Sequence, residues 1–211
     1  MRSSPSTVTP RDAASLVIVR RHRGRDQVLM GRRPAKDRFM PDVFVFPGGR
    51  VDPEDARTSV RNELPARELR RIAARSSPHR ARMLGVAAIR ETFEETGLLV
   101  GDRVSGALRP DLKCLQFIAR AITPTESAIR YHARFFMARA EQVAGRIRSN
   151  GELLELRWMD FEQASRLPII SVTQLVLEEA QYRLSRKPFR GVPLIFYRNG
   201  NVQRRYQFER D

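Results

Sequence analysis

Short apolar runs of strand length dominate the first quarter of the chain. Residues 13–20 (AASLVIVR) predict a buried strand, and residues 27–32 (QVLMGR) predict its hairpin partner across an Arg23-Gly24 turn. Residues 43–46 (VFVF) predict a third strand, which runs directly into Pro47-Gly48-Gly49. Adjacent glycines permit backbone conformations that other residues avoid, so we expect a tight loop there.

Helical patterns follow in the middle of the chain. Residues 65–74 suit a short helix with proline in its first turn, and Ser76-Ser77-Pro78 is a plausible break before the next helix. Residues 83–96 form the strongest helical pattern, with Gly97 as its stop. Its apolar positions recur at helical spacing, which predicts a face packed on a sheet: Val86, Ile89 and Phe93.

The second half of the chain mixes strand and helix patterns. The predicted strands cover residues 112–122, 130–140, 153–159, 192–197 and 202–208, the last two as a hairpin around Asn199-Gly200. The predicted helices cover residues 161–166 and 172–185, with Ser171 as N-cap of the second. This order predicts an α+β fold with one domain over residues 13–211, a flexible arm over residues 1–12 and a C-terminal helix and hairpin over residues 171–211.

Composition excludes several classes of protein from the prediction. The 211 residues contain no run of about 18 apolar residues, so we expect no membrane span. The polar N-terminus does not resemble a secretory signal. With Cys114 as the single cysteine, no intrachain disulfide is possible, and we expect a cytoplasmic protein in which Cys114 is a small buried hydrophobe.

The charge is strongly positive. The chain has 39 Lys and Arg against 24 Asp and Glu, a formal net charge of +15. Such a surface attracts polyanions such as nucleotides or nucleic acid, although a solvated arginine-rich surface explains it equally well. The three histidines lack metal-ligand spacing and are expected at the surface or in ordinary packing.

The segment from Arg90 to Leu98 carries the main chemical signal. On a helix Glu91, Glu94 and Glu95 occupy positions i, i+3 and i+4, so they project from one face. Hard oxygen ligands at this density suit Mg²⁺ or Mn²⁺, which bridge carboxylates to substrate phosphates. The alternative is a solvated acidic helix face.

The upstream loop favours the metal site. Phe46-Pro47-Gly48-Gly49, followed by acidic residues at 52, 54 and 55, resembles the first half of the Nudix box, G-x5-E-x7-R-E-U-x-E-E-x-G-U. Gly49, Arg90, Glu91, Glu94, Glu95, Gly97 and Leu98 match it, Asp55 replaces Glu, and Thr92 replaces the apolar U. Where the pattern has seven residues this chain has residues 56–89, so residues 56–82 are interpreted as an insertion. That spacing leaves Asp52 and Glu54 open as alternatives to Asp55.

The resemblance implies a Nudix fold, an α/β/α sandwich with a mixed β-sheet flanked by helices and a catalytic loop-helix-loop. It implies a magnesium- or manganese-dependent hydrolase that cleaves a diphosphate bond in a small nucleoside-diphosphate-type substrate. Glu91, Glu94 and Glu95 would hold the metal, and Arg90 would orient them. The loop Glu152, beside Gly151, resembles a glutamate that serves some family members as metal ligand or general base. Glu155, on the next predicted strand, is the weaker choice.

Residues 39–56 with the split box also resemble a branch that includes peroxisomal coenzyme A diphosphatases. Arg38 matches an arginine of the coenzyme A signature, whereas Asp42 stands at its glycine position. The nearest cations to the site are Arg32, Arg33, Arg38 and Arg50, and the residues predicted to bind substrate are Gly48, Gly49, Arg50, Arg38 and Arg32.

Several questions stay open at this point. Coenzyme A, acyl-coenzyme A, ADP-ribose, dinucleoside polyphosphates and nucleoside triphosphates are all candidate substrates. The alternative function is a catalytically silent Nudix-like domain that holds nucleic acid or nucleotide on its basic surface. We expect only nonspecific nucleic-acid binding, because aromatic-rich motifs for stacking single strands are absent. A homodimer is a further expectation.

Overall fold

The long first strand β1 (Arg11–His22) lies at the centre of the main sheet. The computed structural model describes residues 8–37, 40–73, 76–185 and 187–207. The other strands are β2 (Arg25–Arg32), β3 (Phe44–Val45), β4 (Gly48–Arg50), β5 (Leu98–Leu99), β6 (Gly101–Val104), β7 (Ala107–Pro110), β8 (Gln116–Ile122), β9 (Tyr131–Arg139), β10 (Ala144–Gly145), β11 (Leu154–Asp160), β12 (Val192–Arg198) and β13 (Asn201–Gln207). The helices are α1 (Ala66–Ala73), α2 (Pro78–Thr96), α3 (Phe161–Ser165) and α4 (Ser171–Leu184).

The main sheet is mixed. Its strand order is β11-β2-β1-β9-β8-β12-β13, with β3 paired to β2 and β4 paired to β1. The pairs β1–β9 and β8–β12 are parallel, and the other neighbours are antiparallel. Helices α1 and α2 pack on one face, where Leu16, Ile18 and Phe136 meet Leu84 and Ile89. Helices α3 and α4 cover the other face, so the predicted α/β/α sandwich is confirmed.

Helix α2 confirms the strongest sequence pattern and begins earlier than predicted. Ser77 caps its N-terminus by accepting a hydrogen bond from the amide of Arg80 (3.1 Å), and Pro78 takes the first turn. Gly97 ends the helix at φ 71°, where its N–H donates to the carbonyl of Phe93. Val86 and Ile89 are fully buried, as predicted, and Phe93 packs at the edge of the same cluster.

Thr92, which departs from the apolar position of the pattern, is fully buried on α2. Its hydroxyl donates to the carbonyl of Ala88 at 2.7 Å, and Thr96 donates in the same way to the carbonyl of Thr92 at 2.6 Å. The helix itself satisfies the polar atom, so threonine fills the volume of an apolar residue without an unpaired group.

Residues 56–73 of the predicted insertion pack beside α2, against β7 and β8, whereas residues 78–82 of that insertion form the first turns of α2 itself. Arg82 donates to the carbonyl of Thr58 at 2.8 Å, and the amide of Arg61 donates to Pro110 at 2.8 Å. In α1, the buried Glu68 accepts a hydrogen bond from the amide of Phe117 at 2.9 Å. Among the described residues these contacts fix the segment to the α2 side of the sheet.

The C-terminal elements are built into the same sheet. Strand β12 pairs in parallel with β8, and its Ile195 is fully buried. Glu179 of α4, also fully buried, accepts hydrogen bonds from Arg183 (2.7 Å) and Arg190 (2.9 Å) and from the hydroxyl of Tyr206 (3.2 Å). This buried carboxylate ties the helix to the hairpin of β12 and β13.

Several sequence predictions need correction. The arm was predicted over residues 1–12, but Arg11 and Asp12 belong to β1, and residues 1–7 lie outside the described residues. Ser171 is the first residue of α4, and Ile170 is its N-cap. The strand predicted over residues 112–122 begins with a 3-10 helix (Leu112–Cys114), and Cys114 is only partly buried against the core. The β6–β7 hairpin was not predicted.

Within the described chain, no helix combines the length and the apolar character needed to cross a bilayer.

Candidate active site

A cavity of about 400 Å³ opens beside the glycine loop. Its wall combines residues of β1, β4, the C-terminal half of α2, the β8–β9 connection, the loop before β11 and the start of α4. Elements from both ends of the chain therefore meet at one place. Glu91, Glu95 and Glu152 all line this cavity.

Glu95 is the most deeply buried of the predicted metal ligands, with 5% of its surface exposed. Its carboxylate Oε2 accepts a hydrogen bond from the amide of Gly48 at 2.9 Å. Burial raises the pKa of Glu95 to about 8, and the negative charges of Glu91 and Glu152 act in the same direction. The Gly48 amide and Arg33 offset only part of this effect.

Gly48 and Gly49 give the loop its close approach to these carboxylates. A Cβ at Gly49 would lie 2.3 Å from the carboxyl carbon of Glu91. Gly48 has φ +152°, and a Cβ there would lie 2.4 Å from the carbonyl oxygen of Ala14. Only glycine fits at either position without displacing its neighbours.

Arg90 joins the two halves of the predicted motif. Its Nε and NH2 groups donate to the two carboxylate oxygens of Asp55 at 2.8 and 3.1 Å, and NH1 donates to Glu91 at 2.8 Å. Burial alone would lower the pKa of Arg90, but its hydrogen bonds to the carboxylates of Asp55 and Glu91 outweigh burial and raise it. Burial likewise raises the pKa of Glu91, against the lowering effect of Arg90.

The three acidic residues of the upstream loop have different surroundings. Asp55 is fully buried against Arg90, whereas Asp52 caps a 3-10 helix (Pro53–Ala56) and Glu54 is exposed. Asp55 is therefore the residue at the acidic position of the box, despite the long segment between it and Arg90.

Glu94 does not lie in the cavity with Glu91 and Glu95. Its side chain is 49% exposed and lies 3.3 Å from Arg90, and it is not part of the cavity wall. Among the described residues, no group of three or more His, Cys, Asp or Glu side chains is arranged to hold a metal ion. The convergence of Glu91, Glu94 and Glu95 on one metal therefore stays a prediction.

Glu152 lies where the sequence argument placed it, in the loop before β11. Its charge raises the pKa of both Glu91 and Glu95. Glu155 lies outside the cavity wall, at φ 49°, and accepts a hydrogen bond from Arg32 at 2.7 Å.

The predicted substrate-binding cations are only partly gathered at the cavity. Arg50 lines it, and so does Arg33. Arg32 is not in the wall, because Asp42 and Glu155 hold its guanidinium at the surface. Arg38 lies outside the described residues. Of these two adjacent arginines, Arg33 lines the cavity and Arg32 does not, so substrate binding by Arg32 stays a prediction.

Much of the remaining wall is apolar and aromatic. The residues that share this character include Phe46, Tyr131, Phe135, Ile170, Val172 and Tyr197. Apart from Phe46, which precedes the glycine loop, no motif marks these residues, because strands and a helix distant in sequence bring them together.

The sequence matches the model of the NUDIX domain over residues 84–179. That range includes the acidic end of α2 and excludes the glycine loop and Asp55, whose place in the site follows from the contacts with Arg90 and Glu95. The crystal structure of a NUDIX hydrolase from Alicyclobacillus acidocaldarius is 26% identical, covers 85% of this chain and 97% of its own, and superposes with a TM-score of 0.64.

This chain has a Nudix fold, and its residues 84–179 match the NUDIX domain.

More distant structures share the same fold. MutT protein from Methanosarcina mazei Go1 is 16% identical, with coverage of 84% of this chain and 97% of that one and a TM-score of 0.53. The NUDIX domain of Shewanella oneidensis NrtR, solved with ADP ribose, is 13% identical, with coverage of 87% and 94% and a TM-score of 0.52. No curated protein matches the sequence.

Proposed function

We propose that this Nudix hydrolase cleaves the diphosphate bond of a nucleoside diphosphate linked to another moiety, with Mg²⁺ or Mn²⁺ as cofactor. The observation that carries the proposal is the meeting of Glu91, Glu95 and Glu152 in one cavity beside the Gly48–Gly49 loop. Burial raises the pKa of Glu91 and Glu95, the charge of Glu152 raises both further, and such a group of carboxylates favours a cation among them. The donor set is all oxygen, as a hard divalent ion requires.

Glu91 and Glu95, joined by Glu94, would hold the metal. Mg²⁺ commonly takes only one or two protein carboxylates and completes its shell with water and phosphate oxygens, so a closed protein cage is not required. When bound, such an ion neutralises the diphosphate charge and lowers the pKa of a coordinated water.

The side chains of the protein supply orientation and proton transfer. Arg90, held by the buried Asp55, fixes the carboxylate of Glu91 at 2.8 Å. The exposed Glu152, at the cavity wall, is positioned to accept the proton of the attacking water as general base. Arg33 and Arg50 would hold outer phosphate oxygens by charge-assisted hydrogen bonds.

For the second moiety we propose coenzyme A or acyl-coenzyme A. The resemblance of residues 39–56 and the insertion over residues 56–82 support this choice, as does an apolar wall suited to an uncharged group. ADP-ribose, dinucleoside polyphosphates and nucleoside triphosphates are the competing substrates.

The test measures phosphate or mononucleotide release from a panel of these compounds with Mg²⁺, Mn²⁺ or chelator. We expect metal-dependent turnover of one class and a loss of about 100-fold or more for Glu94→Gln with Glu95→Gln, because charge at metal ligands is lost. Glu141→Gln, an exposed glutamate outside the cavity, is the matched control. Full metal-dependent activity in the double variant would exclude these glutamates as ligands.

A further inference from the structure

The N-terminus of helix α4 forms part of the cavity wall, through Ile170, Val172 and Thr173. The 14-residue helix begins without a side-chain cap, since its N-cap is Ile170. The first backbone bond of the helix runs from the amide of Gln174 to the carbonyl of Ile170, at 3.0 Å. In the described part of the chain, the amides of Ser171, Val172 and Thr173 have no acceptor.

Thr173 supplies an independent observation. It is 4% exposed and lines the cavity, yet its hydroxyl has no hydrogen-bond partner among the residues that the structure describes. Buried threonines on α2 behave differently, because Thr92 and Thr96 both donate to carbonyls of the preceding turn. A hydroxyl without a protein partner in the wall of a cavity is free to donate a hydrogen bond to a ligand atom there.

The surroundings favour a negatively charged ligand atom. Unpaired amides and the helix dipole make a helix N-terminus electropositive, and phosphate groups bind there commonly. Tyr197 and Ile170 line the same cavity, and an apolar wall of this kind strengthens electrostatic attraction inside it. The carboxylates of Glu91 and Glu95, in contrast, repel a phosphate unless a metal lies between them.

We propose that the first turn of α4, with the hydroxyl of Thr173, is an anion subsite that binds one phosphate group of the substrate without metal. Its identification with phosphate rests on the proposed function. The subsite divides the cavity into an end where metal and carboxylates act on the scissile bond and a wall where amides hold the nucleotide. We therefore expect the enzyme to prefer substrates with a phosphate group that reaches the first turn of α4.

The test compares AMP with adenosine as probes, titrated calorimetrically into the whole protein in chelator. We expect AMP to bind at least about 10-fold more tightly than adenosine, and Thr173→Val to remove about 10-fold of the AMP affinity with no change for adenosine. Thr173→Ser, which keeps the hydroxyl, should retain AMP binding. Valine has nearly the shape of threonine, so folding should be preserved.

A second variant separates binding from helix stability. Ser171→Asp places a carboxylate on the exposed first residue of α4, which favours the helix dipole and should leave the melting temperature unchanged or raise it. The same charge should weaken AMP binding by about 10-fold through repulsion. Equal affinities for AMP and adenosine, or an AMP affinity unaffected by both variants, would overturn the subsite.

The two proposals fail in distinguishable ways. AMP binding that depends on Thr173, with no metal-dependent hydrolysis of any diphosphate, retains the subsite and refutes the proposed reaction. Metal-dependent hydrolysis, together with AMP binding that is unaffected by Thr173→Val, retains the proposed reaction and refutes the subsite.

Discussion

Glu95 is deeply buried, accepts a hydrogen bond from the amide of Gly48 and is one of the predicted metal ligands. Its pKa is raised from 4.5 to about 8 by burial. Because the folded value lies above the unfolded one, its contribution to folding stability is complete below about pH 4.5 and is lost as the pH rises through about 8. We therefore expect the free energy of unfolding of the metal-free protein to fall more steeply with pH, between about 5 and 8, than that of Glu95→Gln.

Urea denaturation of both proteins in chelator checks this expectation. Addition of Mg²⁺ should reduce the pH dependence of the wild-type protein, because a bound cation favours the ionised carboxylate. Identical pH profiles for wild type and Glu95→Gln would show that Glu95 is ionised in the folded protein throughout this range.

Gly49 gives a second prediction at the scale of one residue. A methyl group there meets the flexible end of Glu91, so Gly49→Ala should displace that carboxylate rather than unfold the loop. We expect kcat to fall by about 100-fold, since misplacing a catalytic group by about 1 Å has effects of that size, with a nearly unchanged melting temperature.

Gly85→Ala is the matched control for Gly49→Ala, because its added methyl meets the Leu112 and Leu115 side chains at 3.3 Å on the other face of α2. Both glycines have ordinary backbone angles, so neither substitution introduces backbone strain. Equal activity losses in the two variants would mean that the effect comes from general packing and not from Glu91.

At the scale of elements, the site depends on how the 3-10 helix over Pro53–Ala56 meets α2. Asp55→Asn removes the charge that holds Arg90, and we expect a loss of about 1–3 kcal/mol in the free energy of unfolding. Activity should fall as well, because Arg90 also fixes Glu91. Chemical denaturation and steady-state kinetics of the same preparations measure the two effects.

Glu54→Gln is the comparison for Asp55→Asn, since the side chain of Glu54 is 75% exposed and forms an ion pair with the exposed Arg57 at 3.5 Å. Its effects should be small. If Glu54→Gln caused the larger loss of stability and activity, Glu54 and not Asp55 would be the acidic residue of the box.

Local patterns were sufficient to predict elements whose signals lie within one turn or one strand. The periodicity of α2, its stop at Gly97 and the Asn199-Gly200 turn with both residues at positive φ are of this kind. The β6–β7 hairpin was missed because its strands are short and polar and leave little apolar periodicity. The start of α4 was placed one residue late because Ser171 favoured a side-chain cap that does not form.

The candidate site was predictable only where residues close in sequence share one face. Glu91 and Glu95 met this condition on α2, whereas Arg32 and Arg33 sit where β2 ends and neighbouring side chains point to opposite sides. Sequence proximity cannot choose between such neighbours. The aromatic wall required the parallel pairing of β12 with β8, a contact between distant segments.

At the scale of the whole molecule, the cavity is a product of long-range assembly. Ala13 and Ser15 enter it from β1, and Tyr197 enters it from β12 near the other end of the chain. The buried Glu179 holds that second contribution in place through Arg183, Arg190 and Tyr206. The carboxylates of α2 thus lie in a cavity whose shape is set by elements outside the box.

The net charge of +15 is a property of the whole molecule. Its effect on nucleic-acid binding can be used to distinguish an enzyme from a nucleic-acid-binding domain. Part of the positive charge is already used inside the fold, where Arg90, Arg134 and Arg183 bind buried carboxylates. The remainder is a surface field that attracts any polyanion. We therefore expect a labelled RNA oligonucleotide to bind weakly, with an affinity that falls steeply as salt rises and nearly vanishes around physiological ionic strength.

Fluorescence anisotropy with and without Mg²⁺, for wild type and Glu95→Gln, measures this property. A field effect predicts equal curves for both proteins under chelation and no preference among RNA sequences of equal length, because phosphate contacts carry no sequence information. Binding that persists above physiological salt and discriminates between sequences would require a dedicated nucleic-acid surface. Since Thr173 and the aromatic wall line a cavity of about 400 Å³, the structure favours a nucleotide-sized ligand, and the salt titration decides between these two uses of the same charge.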